Sequence, residues 1–231
     1  MKRFWKSAAA LRDDAGWAIA LDGKKVRTPA RRPLLVPSEP LALAIADEWN
    51  RSGETVDPRE LPLTGLANAA IDQVAPDPGS FAAGIARYAE SDLLCYRAEA
   101  PSGLVELQAE SWDELLSWAR RRFDVDFATT CGIAHVPQPD PTVQRLAHAL
   151  KSLDPFRLAA LFPLVTIGGS LVAGLAVLEG AIATGQAWEA VTVDERWQLY
   201  QWGADAQAQA ALELRRRAFF DGARFVELLN G

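Results

Sequence analysis

The sequence predicts an α+β protein, with a small N-terminal α/β domain built on a β-hairpin sheet and a mainly α-helical C-terminal domain. Three features carry this reading. Between Gly16 and Pro37, Trp17, Ile19 and Leu21 alternate with alanines ahead of Asp22-Gly23, the strongest short hairpin signal. From Ser38 onward the apolar residues recur at helical spacing instead. The stretch Ala75-Pro76-Asp77-Pro78-Gly79-Ser80 combines two prolines, a glycine and a helix-capping serine, which breaks any regular element. It sets a boundary between residues 1–78 and 79–231.

Within the first part, Lys24 to Thr28 returns from the Asp22-Gly23 turn, and Pro29 stops the pairing. Pro33-Leu34-Leu35-Val36-Pro37 can add a third strand, one that sits at an edge or ends quickly, because proline donates nothing to a ladder. Ser38 is placed to cap a helix through its hydroxyl, with Pro40 tolerated in the first turn. Leu41, Ile45 and Trp49 form that helix's inward stripe until Gly53 ends it, and the stripe covers the hairpin. After a turn at Pro58 and Pro62, Leu63 to Val74 reads as a short helix with Leu66, Ala70, Ile71 and Val74 inward.

In the second part, Phe81 to Ala89 is helical, and Leu93 to Tyr96 is either extended or a continuation of that helix. Leu104 to Phe123 is amphipathic, with Leu104, Gln108, Trp112, Leu115, Ala119 and Phe123 on one face, where Gln108 is the odd member. A turn-rich region spans residues 128–141, followed by a helix from Thr142 to Leu153 and a cap at Asp154 before Pro155. The run Leu158 to Leu178 carries no charge, and its length would just cross a bilayer. Pro163, the Gly168-Gly169 pair and Gly174 argue against insertion, and no second such run exists. A short helix ending near Phe162, a turn, and a fully buried helix from about Val165 to Ala183 is the expectation. Thr192-Val193-Asp194-Glu195 has the form of a capping box opening the last long helix.

Composition fits a folded chain kept in a reducing compartment. The 231 residues are 49% hydrophobic, with a net charge of −6 that disfavours nucleic acid as the main partner. Arg120 to Arg122 and Arg215 to Arg217, the only dense basic runs, read as solvated helix faces. Two cysteines, Cys95 and Cys131, lack CxxC spacing, so no disulfide framework or zinc site is expected. The N-terminus has no apolar stretch of signal-peptide length. Of the eight tryptophans most belong in a core, and an exposed pair would mark a binding surface.

Catalytic templates fail. Around Ser170 there is no G-x-S-x-G, Gly169 to Gly174 has phosphate-loop spacing but Leu175 stands where lysine is required, and His135 and His148 are the only imidazoles. Asp92, Glu195 and Asp205 sit among apolar or aromatic neighbours. Burial there would raise a carboxyl pKa and poise an acid or base for a small hydrolase or isomerase, whereas capping or ion pairing is the plainer role. On the last helix, Glu195, Gln198 and Trp202 fall at i, i+3 and i+7 with Asp205 continuing the line, and Trp197, Tyr200 and Ala204 lie beside them. Aromatics interleaved with carboxylates suit protein recognition.

The segments RFWK (3–6), GWAIALDGKKVRTP (16–29), ADEWN (46–50), PLTGLANAAID (62–72), YAESDLLCYRA (88–98), LQAESWDELL (107–116), GGSLVAGLAV (168–177) and DERWQLYQWGAD (194–205) run collinearly. Together they resemble the assembly chaperones of the F-type ATP synthase α subunit. The resemblance implies an α/β domain joined to a helical one, no enzymatic activity, no cofactor and no metal, and a role in keeping the unassembled α subunit from aggregating without ATP. It makes Glu195, Gln198, Trp202, Asp205 and Asp92 the candidate partner-binding residues of a monomer that enters no membrane. A cytoplasmic, bacterial setting is expected, or the mitochondrial matrix for a processed eukaryotic form.

Overall fold

The computed structural model describes residues 2–203 and 205–231, and its backbone groups into two units: Met1–Pro78 with Asp154–Ala160 and Asp221–Gly231, and Gly79–Leu153 with Leu161–Phe220. In the first unit, β2 (Gly16–Leu21) is the central strand. It pairs antiparallel with β1 (Ala8–Asp13) on one side, and with β3 (Lys24–Lys25) and β4 (Leu35–Val36) on the other. Leu21↔Lys24 closes the Asp22-Gly23 hairpin, whose two turn residues have φ of 47° and 80°, the left-handed pair of a type I′ turn. The alternation seen in β2 is replaced by burial on both faces from Ala18 to Leu21.

Strand β1 is the element that the sequence did not announce, because Ala8-Ala9-Ala10 has little intrinsic strand preference. Its outer edge is fixed by a side chain. Asn50 accepts from the Ala8 N–H at 2.8 Å and donates to the Ala8 carbonyl at 2.9 Å, completing the ladder as a neighbouring strand would. Helix α1 (Glu39–Arg51) buries Leu41, Ile45 and Trp49 with Ala42 and Ala46 against β1 and β2, as the stripe predicted. Ser38 does not cap it through the side chain; the hydroxyl donates instead to the Leu228 carbonyl at 2.5 Å.

Helix α2 (Pro62–Ala69) is capped from outside. The Glu48 carboxylate of α1 accepts from the Leu63 N–H at 2.7 Å, the Thr64 N–H at 2.9 Å and the Thr64 hydroxyl at 2.8 Å. Burial holds the Glu48 carboxyl above its ordinary range even though these donors pull the other way. A wider turn over Ala70–Val74 follows, and the buried line runs through Leu63, Ala67, Ala70 and Val74. Leu66 and Ile71, expected inward, are only half-buried because they lie off that line.

In the second unit, α3 (Pro78–Ala86) leads through two 3₁₀ turns to β5 (Tyr96–Arg97), and α4 (Ser102–Phe123) follows. Strand β6 (Thr130–Cys131) pairs parallel with β5, so the Leu93 to Tyr96 run ends extended. Along the chain then come α5 (Asp140–Lys151), α6 (Pro155–Gly168), α7 (Leu171–Leu178), α8 (Thr184–Val191), α9 (Val193–Trp202) and α10 (Ala206–Asn230), with residues 155–160 of α6 and 221–230 of α10 counted in the first unit. Asp154 caps α6 as expected, accepting from the Phe156 and Arg157 amides at 2.9 and 3.0 Å.

The uncharged run folds differently from its sequence reading. Helix α6 passes through Pro163 and ends at Gly168, not near Phe162. Its cost of one missing hydrogen bond, about 3 kcal/mol, is offset by continued burial of Leu161, Leu164 and Val165. Gly169, with φ of 67°, turns the chain, and the Ser170 hydroxyl accepts from the Ala173 N–H at 3.0 Å to start α7. All eight residues of α7 are buried. The helix stops at Leu178, five residues early, where the Ala181 N–H bonds back to the Ala176 carbonyl at 2.8 Å. A Cβ at Gly174 would lie 2.7 Å from Val165 Cγ2, which measures how closely α6 and α7 approach. Among the described residues no helix is long and apolar enough to cross a membrane.

Candidate functional site

Gln108, out of place on an apolar helical face, explains how α9 is held. It is buried, accepts from the Ala98 N–H at 2.8 Å and donates to the Asp194 carboxylate at 2.6 Å. One turn along α4, Trp112 is fully buried and its indole N–H donates to the Ala190 carbonyl at 2.7 Å. The first bond ties the start of α9 to α4, and the second ties the end of α8, just before it, to the same helix. On the other side Glu195 pairs with Arg215 of α10 at 3.0 Å, and Arg215 also donates to the Ile167 carbonyl at 3.2 Å.

The capping box over Thr192 to Glu195 does not form. The Thr192 hydroxyl donates to the Trp188 carbonyl at 2.6 Å, and Glu195 faces Arg215, so its carboxylate is a helix-to-helix tie. Nor does one long helix carry the candidate residues. Gly203, with φ of 83°, ends α9, and Asp205 begins α10 by accepting from the Gln207 and Ala208 amides, each at 3.3 Å. Glu195, Gln198 and Trp202 therefore share α9 while Asp205 leaves their line; Ala204 lies outside the described residues.

Asp92 is a correction of another kind. As a partner-contacting residue it would need surface, and it has none: its relative exposure is 0%. Its carboxylate accepts from the Leu94 N–H at 3.1 Å and the Val172 N–H at 3.0 Å, bridging the turn after α3 to the start of α7. Burial raises its pKa from 3.8 to about 6, against the pull of hydrogen bonds from Val172, Ser170, Leu94 and Leu171. The neighbouring Cys95 thiol is pushed up to about 12 by burial and by the Asp92 charge. Asp92, Glu195 and Asp205 thus engage separate partners on different elements. Among the described residues no group of three His, Cys, Asp or Glu is placed to hold a metal ion.

The accessible chemistry of this region is aromatic. Tyr200 and Trp202 are 81% and 80% exposed, and Gln198 is exposed beside them, whereas Trp5, Trp49, Trp112 and Trp188 are core. Leu107 on α4 and Leu214 on α10 are also exposed. Leu107, Ser111, Val193, Arg196, Trp197 and Tyr200 line an apolar groove of about 460 Å³ between α4 and α9. Trp197 is seated by the absence of a side chain: a Cβ at Gly103 would stand 2.8 Å from its ring. The sequence reading missed Leu107 and Gly103; an apolar residue next to Gln108 but off the buried face of α4 was the available signal.

This fold has close relatives. A structure of Atp12 from Paracoccus denitrificans superimposes with a TM-score of 0.93 at 43% identity, covering 99% of this chain and 98% of that one. The profile of the ATP12 chaperone protein family matches residues 2–120. The chain belongs to the ATP12 chaperone family. These are the assembly chaperones of F1 ATP synthase to which the collinear motifs pointed. An Agrobacterium tumefaciens protein described as a candidate chaperone gives the same TM-score, 0.93, at 36% identity over 99% of this chain and 86% of its own. The mitochondrial protein atp12 of Schizosaccharomyces pombe is 29% identical over 216 residues, 88% of this chain and 74% of the relative.

Proposed function

We propose that this ATP12 family chaperone binds the unassembled α subunit of F1 ATP synthase and keeps it soluble, without ATP, until the subunit meets its assembly partner. It acts as a monomer in the bacterial cytoplasm. The observation that carries the reading is the exposed aromatic face of α9, with Tyr200 and Trp202 presented beside Gln198 and, at the start of α10, Asp205. Exposed aromatics of this size are otherwise a liability, and they supply contact area where a partner covers them. Binding the apolar assembly surface of a client shifts it toward its soluble form by mass action alone, so no nucleotide cycle is required. Separate engagement of Asp92, Glu195 and Asp205 removes the support for a carboxylate hydrolase or isomerase.

The test is dilution of urea-denatured α subunit into buffer containing the chaperone, followed by light scattering. Near-equimolar chaperone is expected to suppress aggregation equally with and without ATP. Aggregation at the rate of the chaperone-free control overturns the client assignment, and suppression that appears only with ATP overturns the nucleotide-independent mechanism.

A further inference from the structure

The apolar groove between α4 and α9 does not end at Ser111. That residue also lines a second recess, of about 500 Å³, between α4 and the segment around α8. Its base is Leu115 and Trp118, and its rim carries Glu110, Glu114 and Glu189. Glu110 and Glu114 are one helical turn apart on α4, both exposed, and neither has an ion-pair partner among the described residues. Glu189 meets only Arg196, at 4.0 Å between groups that are 63% and 53% exposed, a contact at the limit of an ion pair and worth little in water. Arg121 at the far end is the single basic residue of the recess. The two compartments form one channel along α4, about 17 Å from Leu107 to Trp118 at 1.5 Å per residue. One end is apolar and aromatic; the other is acidic with an aromatic base.

We propose that this channel is the client-docking groove and that its occupant is a polypeptide segment carrying apolar side chains followed within a few residues by arginine or lysine. The inference rests on the client-binding reading above and names the chemistry of the segment it recognises. The apolar side chain fills the space among Leu107, Val193, Trp197 and Tyr200. The cationic side chain enters the acidic recess, lays its aliphatic stem over Trp118 and takes the unpaired carboxylates of Glu110 and Glu114. Arg196, which lines the apolar compartment and reaches Glu189 across the boundary, stands where the incoming cation arrives and is displaced by it. An acidic segment is repelled from the same recess, which gives the groove a polarity as well as a preference.

The test uses two fluorescein-labelled peptides of about ten residues that share two leucines and a phenylalanine; one adds two arginines and the other two glutamates at the same positions. Fluorescence anisotropy with the full-length chain is expected to show at least tenfold tighter binding of the basic peptide, weakening as salt rises. Glu114→Lys should abolish that preference, and Tyr200→Ala should weaken the basic peptide at least fivefold. Glu60→Lys, an exposed charge reversal in the first unit, should change neither. Thermal melting of each variant checks folding; all three substituted positions are exposed. Equal affinity for the two peptides, or a preference that survives Glu114→Lys in a folded variant, overturns the groove. The α-subunit aggregation assay on the same proteins separates the two readings. Protection retained by both groove variants sinks the groove and leaves the function standing; a basic-peptide preference without protection of α subunit by the unmodified chain does the reverse.

Discussion

Replacing Asp92 with asparagine isolates the most heavily buried charge in the protein. In the folded chain the carboxyl has a pKa of about 6, against the ordinary 3.8 it regains on unfolding. A folded pKa raised above the unfolded one means that the folded state holds the proton more tightly. Stability is therefore fully present below about pH 4 and is lost as the pH rises toward and through 6. At 1.36 kcal/mol per pKa unit the full loss is about 3 kcal/mol, of which about 2 kcal/mol falls between pH 4.5 and 7.5. Asparagine is neutral throughout and keeps one acceptor oxygen. It turns an NH₂ toward the other buried amide of the Leu94 and Val172 pair, at a constant cost of about 1–3 kcal/mol. Urea unfolding of both proteins at pH 4.5, 5.5, 6.5 and 7.5 measures the difference, in which Glu48 and every other shared group cancels. The advantage of the unmodified chain over Asp92→Asn should shrink by about 2 kcal/mol across that range. A pH-independent difference would mean that the carboxyl is not desolvated in the folded state and would refute the argument.

Gly103→Ala should keep or slightly raise the melting temperature, because alanine is the better helix former, yet displace the Trp197 ring 2.8 Å from the new Cβ and weaken client protection. If protection and tryptophan fluorescence are both unchanged, Trp197 is not part of the working surface. Leu171→Asp puts a second carboxylate at a fully buried site beside Asp92 and should cost about 3 kcal/mol or more in unfolding measurements; unchanged melting would mean α7 is accessible. Glu195→Gln should cost under about 1 kcal/mol, since its bridge to Arg215 joins side chains that are each about 40% exposed. A larger loss would reinstate a capping role. An aromatic-thiol exchange reagent should modify one cysteine, Cys131, in the folded chain and both after denaturation, because Cys95 is buried with its pKa near 12.

The parts of the fold that sequence made legible are those decided by local chemistry. The Asp22-Gly23 hairpin, the α1 stripe and the Asp154 cap each need only a few neighbouring residues, and each is where the pattern put it. What sequence misread was decided by distant partners. Ser38 could cap α1, but Leu228 takes its hydroxyl; Thr192 and Glu195 could form a capping box, but Trp188 and Arg215 claim them. Three alanines became β1 because Asn50 supplies its missing edge. Around the candidate site the same division holds. Gln198, Tyr200 and Trp202 were visible as an aromatic and amide face, while the groove itself needs α4 brought alongside the start of α9 by Gln108 and alongside α8 by Trp112, bonds that span 86 and 78 residues.

Those two bonds also suggest why recognisable segments and working surface need not coincide. Asp92 in one motif caps Val172 in another, Gln108 in a third bonds Asp194 in a fourth, and Glu48 and Asp72 tie ADEWN and PLTGLANAAID into the first unit. Such side chains answer to fixed partners inside the fold, so their identity here is dictated by internal geometry. Tyr200, Trp202 and Leu107 answer to nothing inside it. An aromatic side chain held in water offers about 4–6 kcal/mol when a partner covers roughly 200 Å² of it. That gain is kept only if ordering the surface has already been done before the partner arrives. Locks at Gln108 and Arg215 do that ordering: they tie the first turn of α9 to α4 and α10, while Trp112 ties the preceding α8 to α4, and the outer face of α9 stays exposed. The nucleotide-independent function proposed above fits this division: a rigid, prebuilt apolar face supplies contact area before the partner arrives, and the weakly paired rim beside it sets which segment is held and how firmly.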